Sequence, residues 1–102
     1  MTVPADLRLS AQGAFLGRIR SEMRLIKITR RGSEIAVVVV LDREPSERIR
    51  EDVSEATTEI ISDFPDVSGI VEAFQVDSAP LPTEDILQHG WIYKRAEPEI
   101  PK

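Results

Sequence analysis

Between Glu34 and Asp42 the chain carries an unbroken apolar run, Ile35-Ala36-Val37-Val38-Val39-Val40-Leu41. Successive side chains of a strand point to opposite faces, so Ile35, Val37, Val39 and Leu41 form one apolar row and Ala36, Val38 and Val40 a second. A strand apolar on both faces is expected to lie centrally in its sheet, covered on both sides. The run is far shorter than the roughly 20 residues a helix needs to cross a bilayer, so no membrane span is expected. "MRLIKIT" precedes it across Arg31-Gly32-Ser33, and a glycine between two β-branched apolar runs predicts a hairpin.

The hairpin is followed by "SERIREDVSEATTEIISDF", residues 46 to 64. Ser46 is placed to cap a helix, Pro45 is tolerated at its start, and Pro65 ends it. Ile49, Val53, Ala56, Ile60 and Phe64 recur every three or four residues, flanked by Thr57 and Ile61, which gives one core-facing stripe. Upstream, Ser10 reads as the cap of a short helix to about Arg20, with Ala14, Phe15, Leu16 and Ile19 apolar and Gly13 and Gly17 weakening it. Downstream, "GIVEAFQV" (69–76) reads as a strand with Ile70, Glu72, Phe74 and Val76 on one face. After "DSAPLPTEDILQHG", "WIYKR" (91–95) reads as another. The order αββαββ defines an α+β fold: a four-stranded, largely antiparallel sheet packed with two helices. At 102 residues this is one domain, expected over residues 1–96, with 97–102 as a frayed tail holding two prolines.

Charge is distributed unevenly. Residues 1–33 hold seven bases and two acids, whereas 34–102 hold six bases and sixteen acids, so the halves either pair within the fold or face partners of opposite sign. On the second helix the acids fall every fourth residue, at Glu47, Glu51, Glu55, Glu59 and Asp63, with Asp52 beside them. Near the N-terminus they suit the helix dipole, and Arg48 and Arg50 lie within reach. Toward the C-terminus Glu55, Glu59 and Asp63 have no base at helical spacing, repel one another, and oppose the dipole, a cost on the order of 1 kcal/mol. Two readings follow: Arg18, Arg20, Arg24 or Lys27 fold against this solvated ridge, or the ridge binds a cationic partner, steering encounter and fixing orientation.

Catalytic chemistry is sparse. With no cysteine there is no thiolate, disulfide or Cys-zinc site. His89, the sole histidine, has no HExxH-type partner and sits beside Gly90 as a turn residue. The pairs Glu51-Asp52 and Glu84-Asp85 read as solvated charge. No phosphate-binding glycine loop is present. We therefore expect no enzyme, no metal and no cofactor. Arg18, Arg20, Arg24, Arg30 and Arg31 raise a nucleic-acid alternative, but only Phe15 offers a nearby stacking ring and the remaining sequence is acidic, so nucleic acid is the weaker partner. Trp91 and Tyr93 share a strand face as core residues or as interface anchors, and the 91–95 edge offers a route to self-association, so the chain is expected to be a monomer or weak dimer. "MTVPADLRL" lacks the basic n-region and apolar run of a signal peptide, so a cytoplasmic location is expected.

The segments "MRLIKITRRGSEIAVVVVLDREPSERIREDVSEATTEIISDFPD" and "LPTEDILQHGWIYKR" resemble a family of small bacterial immunity proteins of polymorphic toxin systems, including contact-dependent growth inhibition. The shared features are the hairpin, Ser46 followed by Arg50-Glu51, the closing Asp63-Phe64 pair, and Tyr93 followed by Lys94-Arg95. The resemblance spans roughly residues 15–96 and consists of packing and capping motifs. It departs where Arg48, Ile49 and Arg50 replace expected acids and where the last strand opens with His89-Gly90-Trp91. It implies a protein that binds a cognate toxin domain, basic and commonly a nuclease, and neutralises it by stoichiometric occlusion. Glu51, Asp52, Glu55, Glu59 and Asp63 would then form the contact, with Trp91 and Tyr93 as anchors.

Overall fold

The structure is a computed structural model and describes residues 4–77 and 91–95. Its elements are α1 (Ala5–Phe15), β1 (Met23–Arg31), β2 (Glu34–Leu41), α2 (Glu47–Ser62), β3 (Gly69–Val76) and β4 (Trp91–Lys94). The sheet order is β3-β2-β1-β4. β1 pairs antiparallel with β2 and β4, whereas β3 runs parallel to β2 because α2 carries the chain back across the sheet between them. The α+β class and the αββαββ order hold, in a mixed sheet with one parallel pairing. His89, Glu84, Asp85, the connection after Asp77, the tail 97–102 and the side chain of Trp91 lie outside the described residues.

Local chemistry sets the best-defined boundaries. Gly32, at φ +62°, is the first of two residues linking the Arg31–Glu34 pair, and among the described residues only glycines have positive φ. That is the pattern of a type II′ turn, whose twist matches a hairpin. The Ser46 hydroxyl accepts from the Ile49 amide at 3.2 Å and caps α2.

One core lies between the sheet and both helices. Ile35, Val37, Val39 and Leu41 are fully buried against Ile49, Val53, Ala56 and Ile60 of α2, with Leu7, Ala11, Ala14 and Phe15 of α1 beside them. Each such large aliphatic side chain contributes on the order of 1.5–3 kcal/mol relative to exposure. Among the described residues no helix covers the second row of β2: Ala36 and Val38 stay partly exposed, paired with Thr29 and Lys27, and Leu25 and Val40 are buried outside the main cluster. Both described helices lie on the other face, against Ile35, Val37, Val39 and Leu41. Valine favours a pleated strand whether or not its outer face is dry.

α1 also departs from expectation. It starts at Ala5 after Pro4, because its apolar stripe begins at Leu7, and Ser10 lies in the helix interior instead of capping it. Leu16 takes an extended conformation, Gly17 follows at φ +82°, and the helix stops. Leu16 and Ile19, expected on the buried side, are 80% and 38% exposed.

Replacing Ser46 with alanine is expected to cost about 1 kcal/mol, and Ile60→Ala about 2–5 kcal/mol. Urea titration followed by far-UV circular dichroism reads both. Equal losses would show that α2 is not held mainly by its buried stripe.

Candidate partner-binding face

The buried stripe of α2 determines which of its residues face outward. At 100° per residue the acidic row drifts around the helix, so Asp63, Glu59 and Glu55 lean toward α1, while Glu51 lies nearly opposite the core and Glu47 beside it. The bases missing from the C-terminal half come from the link between α1 and β1. Arg18 pairs with Glu59, and its Nε lies 3.5 Å from Glu55. The same guanidinium donates to the Ala14 carbonyl at 2.7 Å, closing the end of α1, where a cation also suits the dipole. Arg20 Nε donates to Asp52 Oδ2 at 2.7 Å, and the Ser10 hydroxyl donates to Asp63 Oδ2 at 2.7 Å.

Asp52 is thus 9% exposed and structural in placement. The hydrogen bond from Arg20 holds its carboxyl below the ordinary carboxylate range, against the desolvation that raises it. Arg95 and then Arg43 depress Asp42 in the same way, and Arg30, at 2.5 Å, depresses Asp66. Glu55 and Glu59 keep side-chain exposures of 64% and 54% despite Arg18. Glu47 and Glu51 are exposed and, among the described residues, have no hydrogen-bond or ion-pair partner.

Beside these two acids the outward strip of α2 is small: Ser54, Thr58 and Ser62 are all exposed. The Thr58 hydroxyl bonds back to the Ser54 carbonyl at 2.9 Å and that of Ser62 to the Glu59 carbonyl at 2.7 Å, which holds both flat against the helix. This strip was not identified from sequence, although the helical period places it opposite the apolar stripe.

The other expected residues fall elsewhere. Tyr93 is half-buried against the core and lines a cleft of about 140 Å³ with Gln12, Phe15, Leu16, Ile19 and Ile92. It is not brought together with the acids. Of the arginines offered for nucleic acid, four have partners within the fold, and Arg31 is exposed. Arg18 and Arg20 hold α2, Arg30 pairs with Asp66 and lies 5.8 Å from the Phe64 ring, and buried Arg24 donates to the Asp77 carbonyl. Among the described residues no three His, Asp or Glu side chains gather as a metal site, and no helix is long and apolar enough to cross a membrane.

A small α+β domain with an acidic helix face, with Arg18, Arg20, Arg24 and Arg30 engaged internally, fits the class of small bacterial toxin immunity proteins. The chain belongs to the MafI2 immunity protein family, whose model it matches over residues 4–97. No curated protein matches it. Its role is that of an immunity protein, which entails binding a cognate toxin protein.

A carboxyl depressed by folding contributes stability that is fully present above its unfolded pKa, about 4, and is lost as pH falls through the lower folded value. Stability should therefore be flat through neutral pH and decline below about pH 4. Asp52→Asn should give a shallower acid decline than wild type from a lower plateau. Urea midpoints measured across the acid range check this, and an unchanged slope would remove Asp52 from the acid response.

Proposed function

We propose that the protein neutralises its toxin by stoichiometric occlusion, without turnover, and that the outward face of α2 makes the first contact. The observation that carries this reading is the pair Glu47 and Glu51, exposed and unpaired on the outermost line of a helix whose remaining acids are only partly neutralised. A basic toxin domain suits that face. A nuclease groove, which must be positive to hold phosphates, is the toxin surface with the most to lose from being covered by carboxylates. The flat Ser54-Thr58-Ser62 strip lets such a surface approach the helix closely. Asp63 and Asp52, tied to Ser10 and Arg20, orient the helix instead of meeting the partner. Occlusion of an enzyme that acts on nucleic acid inside the cell places the immunity protein in the cytoplasm.

The test uses the toxin domain captured by tagged immunity protein from the cells that make it. Glu47→Lys/Glu51→Lys, which breaks no ion pair within the fold, should slow association about tenfold at low ionic strength and flatten its salt dependence. Circular dichroism should show the fold retained, with the urea midpoint modestly lowered because Glu47 lies in the first turn of α2 and suits its dipole. An association rate equal to wild type at low salt would move the contact off α2. Nuclease activity of the captured domain, abolished at one equivalent of wild-type protein, checks the occlusion itself.

A further inference from the structure

The two edges of the sheet are defended very differently. β4 spans four residues, its register with β1 shifts between Ile26 and Lys27, and it ends in Lys94. Shortness, a bulge and a lysine all discourage a foreign strand. β3 has none of these. It runs eight residues in unbroken register with β2, contains no lysine, arginine or proline, and none of its five apolar residues is fully buried, with Val71 56% and Val76 47% exposed. Its only charge, Glu72, is turned onto the helix side, where it accepts from the Thr57 hydroxyl. Among the described residues nothing pairs with its outer edge.

We propose that the β3 edge is the docking site for a second copy of this chain, joined antiparallel about a two-fold axis at Ala73 so that two four-stranded sheets become one. Backbone direction allows this register, and charge favours it over the one centred on Glu72. The Asp77 amide donates to the Leu41 carbonyl at 3.0 Å, so odd-numbered residues of β3 direct their backbone groups to β2, and Ile70, Glu72, Phe74 and Val76 direct theirs to the free side. Pairing about Ala73 sets Ile70 against Val76 and Glu72 against Phe74 of the second copy, and joins outward groups to outward groups. Pairing about Glu72 would also join them, but it would place two glutamates face to face.

Arg50 supplies the complementary charge. It is exposed, its guanidinium carbon lies 5.0 Å from the centre of the Phe74 ring, and among the described residues it has no carboxylate partner. In the register about Ala73, Glu72 of one copy meets Phe74 of the other beneath that guanidinium, which makes an ion pair across the interface on each side of the axis. The flank of α2 above β3 carries Arg50, Ser54, Thr57 and Ile61, whereas the carboxylates drift toward α1, so the acidic ridges do not oppose the pairing.

Sedimentation velocity of the full chain over a wide concentration range tests this. A concentration-dependent dimer is expected. Arg50→Glu and Glu72→Lys should each weaken it about tenfold, and the double variant, which swaps the charges, should restore it. Circular dichroism confirms that each variant folds. Hydrogen exchange should show the amides of Ile70, Glu72, Phe74 and Val76 slowing as concentration rises. A chain that stays monomeric throughout overturns the proposal, as does a dimer indifferent to both reversals. Protection of those amides only when the captured toxin domain is added would assign the edge to a strand of the toxin and equally overturn it.

Discussion

The contact between the Ile35-Val37-Val39-Leu41 row and the apolar stripe of α2 determines most of what this molecule presents to its surroundings. It fixes the rotation of α2 about its own axis, and with it the line of the helix that stays wet. Had the stripe been shifted by one residue, the acids would lie about 100° away, against the sheet or under α1. The acidic face is thus a consequence of core packing, so a change at Ile60 acts on stability while a change at Glu51 acts on the contact proposed for this face.

The second constraint is electrostatic and links distant parts of the chain. Glu55, Glu59 and Asp63 oppose the dipole of their own helix, and the fold offsets this with Arg18 and Ser10, 37 to 53 residues away in sequence. Arg18 acts on two helices at once, donating to the Ala14 carbonyl at the end of α1 and to the carboxylates of α2. Because Gly17 takes a left-handed conformation just before it, the chain can leave α1 and still bring Arg18 back against the helix it has left. Of the bases at the start of the chain, Arg18 and Arg20 pair with acids of α2 along this seam, while Glu47 and Glu51 keep their negative charge on its outward side.

What could be read from the chain follows the range of the interactions involved. The Gly32 turn, the Ser46 cap, the extent of β3 and the stripe of α2 are written in residues a few positions apart, and the structure places them as the sequence suggests. The start of α1 was missed because Pro4 offers no side-chain cap and the eye goes to Ser10, whose hydroxyl is engaged with Asp63. The partial exposure of Ala36 and Val38 was missed because alternation reports which residues can be buried, not what lies over them. The partners of the ridge were only narrowed to a set of candidate bases, since nothing local in Arg18 or Arg20 distinguishes a residue that folds onto α2 from one that points to solvent. Of the residues expected to meet a partner, Glu51 stands outermost, Glu55 and Glu59 share Arg18, Asp52 is turned inward, and Tyr93 packs against the core.

The geometry of α2 also separates the two surfaces for which roles are proposed. One helix borders both the unguarded β3 edge and the acidic strip, but the helical period puts Arg50 and Ile61 on the flank over β3 and turns Glu51 and Glu55 progressively toward α1. A two-fold pairing through β3 would cover the first flank and leave the second exposed in both copies, so the assembled sheet would carry two acidic faces. Each toxin domain would then meet a face whose charge is set by its own copy, and occlusion would stay at one toxin per chain whether or not the copies are paired. The dimer would act on the toxin only through a gain in effective concentration for a target that could span both faces.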